Sequence, residues 1–243
     1  MKSIGRANMV LFAAVLGGCG GSGGDGNSAP TSYAYIAPQV NSQRDYSQVI
    51  TDNENNTINE TITETVTSVN SDGSYVYTSQ DPTGNSVVVD GTTYAIPTET
   101  INSNNNNQST SYNYVGSGGS TITCTYDPHG NGPDYPLVVG NTWNQQYTLT
   151  CGTATPITFS QSGTVSDVES VTVPAGTYTA VKLTSTVSWT TAAGTTISQA
   201  ITNWRDTQTQ KSVKRTIVAT YGGTLPSTGY AVDTTTELQS SSN

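Results

Sequence analysis

Val173-Pro174-Ala175-Gly176-Thr177-Tyr178-Thr179-Ala180-Val181-Lys182-Leu183-Thr184-Ser185-Thr186-Val187-Ser188-Trp189 holds a turn and the strand that leaves it. Proline at the second turn position presets φ, and glycine at the fourth accepts the left-handed region, which suits a hairpin built on a type I turn. Beyond the turn, Val181, Leu183, Val187 and Trp189 fall on one side of an extended chain. Tyr178, Lys182, Thr184, Thr186 and Ser188 fall on the other. Period-two alternation of this kind is the mark of a strand with one face packed and one face wet. Val165 to Val173 supplies the partner strand.

Working outward, the same grammar repeats. Pro136-Leu137-Val138-Val139-Gly140-Asn141-Thr142-Trp143 leads into a segment in which Trp143, Tyr147 and Leu149 alternate inward. Ala200 to Trp204 and Lys211 to Tyr221 read as two further strands. Upstream, Val87-Val88-Val89-Asp90-Gly91-Thr92-Thr93-Tyr94 reads as a tight hairpin, because Asp-Gly tolerates the positive φ angles of a type I′ turn. Turn signals such as Asp72-Gly73, Gly140-Asn141, Ala193-Gly194 and Gly222-Gly223 recur at strand-length intervals, and no long amphipathic helix is present. The sequence therefore predicts an all-β chain, an antiparallel meander forming a curved sheet, a sandwich or an open barrel.

Two segments read less cleanly. Tyr33 to Ile50 shows scattered aromatics without a period and is expected to be mostly irregular. In Asn56 to Val69 the residues Ile58, Ile62 and Val66 also fit a helical spacing, but the run is rich in Thr, Ile and Val, which favours a strand. As a strand it puts Glu60 and Glu64 on the same side as those aliphatics, and lone carboxylates are expected to face water. The expected organisation is residues 1–18 as a signal peptide, 19–31 as a Gly/Ser tether, and 32–105 as an acidic β region. Residues 106–238 form the main β region, with the polar loop Asn104 to Gln108 between the two, and 239–243 a disordered tail.

Charge and cysteine usage narrow the function classes. The chain carries 8 basic and 17 acidic side chains, and only 10% of its residues are charged. A net acidic surface disfavours nucleic acid as a partner. Of the 3 cysteines, Cys124 and Cys151 both fall on inward strand positions, in phase with Tyr126 and with Tyr147 and Leu149. They are expected to form a disulfide, closing a loop worth roughly 3–4 kcal/mol in the chain-entropy model. No partner at ligand spacing accompanies either one, so no metal or other cofactor is expected.

Catalytic signals are sparse. Gly20-Gly21-Ser22-Gly23-Gly24 matches the nucleophile-elbow spacing but lies in the glycine tether, where a strand-to-helix turn cannot form. The loop Asp127 to Asp134 holds the only histidine, His129, and reads as a glycine-proline turn. Asp167 and Glu169 are the remaining raw material for a carboxylate hydrolase. No catalytic residue is assigned. A membrane-spanning barrel is disfavoured because the second faces of the strands are Thr, Ser, Lys and Asn.

Lys2 and Arg6, the apolar run Met9 to Leu16, and Leu16-Gly17-Gly18-Cys19 together resemble a bacterial lipoprotein signal, with the last four residues as the lipobox. The apolar run is too short to span a bilayer. The resemblance implies cleavage before Cys19, lipidation of that cysteine by diacylglycerol and an acyl chain, and, with Gly20 next in line, residence in the outer membrane. Pro136-Leu137 to Trp143, Val171 to Tyr178, Lys182-Leu183 and Trp204 also resemble a pattern of uncharacterised β-rich envelope lipoproteins of Gram-negative bacteria. These readings make the protein a membrane-held, non-catalytic binding or structural module, with an envelope protein or a hydrophobic ligand as its partner. Its 14 tyrosines against 2 phenylalanines could line a ligand groove.

Overall fold

The computed structural model describes residues 31–81, 86–89, 92–95, 98–116, 119–130, 132–225 and 230–242. The lipobox residues Leu16 to Cys19, the tether through residue 30 and the Asp90-Gly91 turn lie outside the described residues.

The described elements are all strands. The first half holds β1 (Ser32–Tyr33), β2 (Gln43–Asp52), β3 (Thr57–Val69), β4 (Tyr75–Gln80), β5 (Ser86–Val89), β6 (Thr92–Ala95), β7 (Glu99–Ser103) and β8 (Ser109–Val115). The second holds β9 (Thr121–Asp127), β10 (Leu137–Val138), β11 (Thr142–Cys151), β12 (Ile157–Val173), β13 (Gly176–Thr190), β14 (Thr195–Asp206), β15 (Ser212–Gly223) and β16 (Ala231–Ser242). Twelve of them close into one antiparallel barrel in the order β11-β12-β13-β14-β15-β16-β2-β3-β4-β7-β8-β9. The remaining four make two small ribbons, β1 with β10 and β5 with β6.

The hairpin that opened the sequence reading is the longest pair in the molecule. Val173 pairs with Gly176 across Pro174-Ala175, and Gly176 has φ +136°, a value that glycine alone adopts at low cost. Along β13, Val181, Leu183, Val187 and Trp189 are buried, while Lys182, Thr184, Thr186, Ser188 and Thr190 face outward. The outer wall is thus hydroxylated and charged, the reverse of the apolar band that a lipid-facing barrel carries.

The barrel unites the two expected β regions. The loop Asn104 to Gln108 is the turn between the neighbouring strands β7 and β8, so the boundary near residue 105 falls inside a single sheet. The expected tail is also part of it: Gln239–Ser242 complete β16 and pair with the first residues of β2. Gln239 Nε2 donates to Ser47 Oγ at 2.6 Å and Ser240 Oγ to Asp45 Oδ2 at 2.6 Å. Edge pairing satisfies a polar segment that composition alone marks as a tail. Gln43–Asp52, expected to be irregular, is β2, and its alternation escapes notice because two of its inward residues are Arg44 and Gln48.

Barrel diameter grows with strand number, and a wide lumen calls for large side chains. Tyrosine, tryptophan and long polar residues fill this one. Tyr112, Tyr126, Tyr147, Phe159 and Trp189 run from β8 to β13 as a continuous series of ring contacts, with centroids 6.0, 5.9, 5.0 and 5.1 Å apart. Trp143 lies flat on Gly163, its partner in the ladder, and a Cβ at that glycine would fall inside the indole.

Candidate functional site

The two ends of the barrel are built differently. The chain enters at the near end, which holds the β3–β4, β7–β8 and β14–β15 turns. Tyr35 Oη donates to Gly73 O at 2.5 Å, and its ring meets Tyr135 edge-on at 5.6 Å. Gln108 Nε2 reaches Asp134 at 3.1 Å, and Arg205 donates to Tyr135 Oη at 2.7 Å. Leu137, fully buried, packs with Val165, Val181 and Leu183. A bulge between Val165 and Asp167 lets the tip of the β12–β13 hairpin lean over this end. Val171 and Val173 there join Tyr46, Ile62, Val213 and Leu238 in one cluster. The near end is plugged.

Just inside the plug, β2 and β3 carry charges. Arg44 and Glu64, 2% and 1% exposed, form an ion pair at 3.3 Å. Gln48 donates to Glu60 at 2.8 Å and accepts from Thr236 of β16 at 3.1 Å. The expectation that Glu60 and Glu64 face water is therefore wrong: they share the inward face with Ile58, Ile62 and Val66. Burial raises the Glu64 pKa and Arg44 opposes it. For Arg44, burial would lower the pKa, but Glu64 and then Tyr46, Tyr75 and Tyr77 hold the guanidinium charged. Arg215 also points into the lumen, where burial lowers its pKa to about 10 beside Tyr147 and Tyr77.

At the far end Trp189 and Ile197 are buried, but several other inward positions are half-buried. Ile50, Ile58, Tyr114, Ile122, Leu149, Ile157 and Tyr221 line this rim. Cys124 and Cys151 face each other across β9 and β11 and form the expected disulfide, S–S 2.06 Å. Glu99, Tyr114 and Ile122 stand side by side in one row across β7, β8 and β9. Burial pushes the Glu99 carboxyl up to about 7. The sequence reading missed Glu99. Its signal was modest, a carboxylate in phase with the inward Ile101.

The remaining sequence candidates are not assembled into a catalytic set. His129 Nδ1 lies 2.9 Å from Gly130 O, and Asp134 accepts from Asn106 and Gln108. Asp167 caps the amide of Val168, while Glu169 pairs on the outer wall with Lys182 at 3.2 Å and accepts from Trp204 Nε1 at 2.6 Å. These contacts have no residue in common. Among the described residues, no group of three or more His, Cys, Asp or Glu converges as a metal site.

No family model and no curated protein matches the chain. Solved structures that do match include a Bacteroides fragilis protein described as exported, with a YmcC-like fold. It is 12% identical, covers 87% of this chain and 100% of its own, and has a TM-score of 0.52. A Parabacteroides distasonis protein described as a lipoprotein is also 12% identical, with the same coverage and a TM-score of 0.50. The likeness is one of fold.

Proposed function

We propose that the chain is an envelope lipoprotein, held in the outer membrane by lipid on Cys19, whose barrel is a non-catalytic binding module. The observation that carries this reading is the polarity of the barrel. The end at which residues 31–42 join the barrel is plugged by Tyr35, Tyr135, Leu137 and the β12–β13 tip, whereas several inward side chains at the opposite end are half-buried. A module tethered at its closed end offers its accessible end to the surrounding compartment. Two or more acyl chains at about 0.8 kcal/mol per buried methylene make such an anchor stable. The resemblance to a lipoprotein signal and the descriptions of the two fold neighbours support the same reading.

A second reading, a carrier for a hydrophobic ligand, is favoured by the aliphatic and tyrosyl rim at the far end. Intact mass of the protein from a Gram-negative host, wild type beside Cys19→Ala, tests the anchor. The expected result is a lipid-sized increment on a chain beginning at Cys19, absent from the variant. An unmodified wild-type chain would refute it.

A further inference from the structure

Glu99 stands out among the acidic side chains of the lumen. Glu64 has Arg44, and Glu60 has the amide of Gln48. The ion pairs among the described residues are Arg44–Glu64, Lys182–Glu169 and Lys214–Glu237, and Glu99 belongs to none of them. Burial opposes its charge, with no positive group set against that cost. Around it stand phenols instead. Tyr77 on β4, Tyr112 on β8 and Tyr126 on β9 all lie within electrostatic reach of the carboxylate, and Ser79 and Tyr114 are its two partners in the ladder.

Burial, first of all, holds the pKa of each of these three phenols above its ordinary value, so all three keep their protons at neutral pH. A neutral phenol still has an oxygen lone pair to offer. Each phenol can turn its O–H to the carboxylate and its lone pair to an incoming donor, so the missing complement is a positive charge with several N–H donors and no acceptor: a primary ammonium. The row Glu99–Tyr114–Ile122 and, beyond the Cys124–Cys151 row, the half-buried Leu149 and Ile157 continue the site with partly exposed apolar surface.

We propose that the far mouth of the barrel binds an amphipathic primary amine, its ammonium paired with Glu99 and its apolar body lying on Ile122, Leu149 and Ile157. The inference rests on the binding-module reading and names the ligand chemistry of that module. Arg215 stands among Tyr147 and Tyr77 and contributes no charge to Glu99.

The test uses the full chain in phosphatidylcholine vesicles, with protein-free vesicles as blank, at about pH 8, where a carboxyl of this kind is ionised. Phenethylamine, 3-phenylpropionate and phenethyl alcohol share one apolar body and differ in the head group. Saturation-transfer NMR measures the affinity of each for wild type, Glu99→Gln and Glu99→Asp. The amine is expected to bind about tenfold more tightly than the acid or the alcohol, a gap typical of one charge-assisted contact. Glu99→Gln is expected to abolish the gap and Glu99→Asp to keep most of it, with both variants melting as wild type does at low pH. If the three probes bind equally, or if Glu99→Gln keeps the preference, the ammonium inference is wrong and the binding module stands. Failure of all three to bind overturns both.

Discussion

The two ends of this barrel solve the problem of a wide lumen in opposite ways. The near end fills it: Arg44, Tyr46, Glu64, Tyr75 and Leu137 are at most 2% exposed, Arg44 pairs with Glu64, and Tyr75 Oη donates to Asn107 Oδ1. The far end leaves Ile122, Leu149 and Ile157 half-buried near the buried Trp189 and Ile197, and secures the wall with a covalent bond between Cys124 and Cys151. Packing thus defines one end and cross-linking the other.

The sharpest way to break the contrast is to strike the ion pair of the near end. Arg44→Met leaves Glu64 buried without its cation and is expected to cost about 3–5 kcal/mol, whereas Arg44→Met with Glu64→Leu should recover most of that loss. Urea denaturation of the single and double variants measures both; equal losses would mean that the pair is not electrostatically coupled. Next in size is the covalent clasp. Cys124 and Cys151 are separated by 27 residues, and replacing both with Ser should cost about 3 kcal/mol. The loss of amide-exchange protection should concentrate in β9 and β11 and spare β2 and β3.

The smallest effect belongs to Glu99, and its sign is diagnostic. A carboxyl whose folded pKa is raised from 4.5 to about 7 contributes stability that is fully present below pH 4.5 and lost as pH rises through 7. Glu99→Gln should therefore stabilise the protein at pH 8, by about 2 kcal/mol once partial exposure is allowed for, and leave it nearly unchanged at pH 4.5. The groups facing Glu99 are Ser79 and Tyr77 on β4, Tyr112 and Tyr114 on β8 and Tyr126 on β9. Burial holds Tyr77, Tyr112 and Tyr126 above their ordinary values, so these three do not titrate in that window. Thermal melts of both proteins across the range check the crossover; a flat difference would place the Glu99 carboxyl in water.

What the sequence made legible follows from the same contrast. β12 and β13 could be read because their inward positions are Val, Leu, Phe and Trp against an outer face of Thr, Ser and Lys. β2 could not, because Arg44 and Gln48 occupy positions where an apolar residue marks a core. Glu60 and Glu64 were placed on the right side of their strand but assigned to water, since nothing local reveals that Arg44, on the preceding strand, turns inward beside them. The disulfide was legible from phase and compartment. Closure was not, because the decisive pairing joins β16 to β2, and neither strand announces the other.

That last pairing has a kinetic consequence. Neighbours such as β12 and β13 meet through a two-residue turn and can zip at once, but β2 must wait for a strand that lies far down the chain. In the interval its edge is open, and its inward face consists of Arg44, Tyr46, Gln48 and Ile50. Water can solvate Arg44, Gln48 and Glu60 until Thr236 arrives to hydrogen-bond Gln48 and Leu238 to cover Tyr46. A greasy first strand would have been a template for stray association during that wait. By giving its earliest barrel strand a polar interior, the chain defers the desolvation of Arg44, Gln48 and Glu60 to the moment of closure.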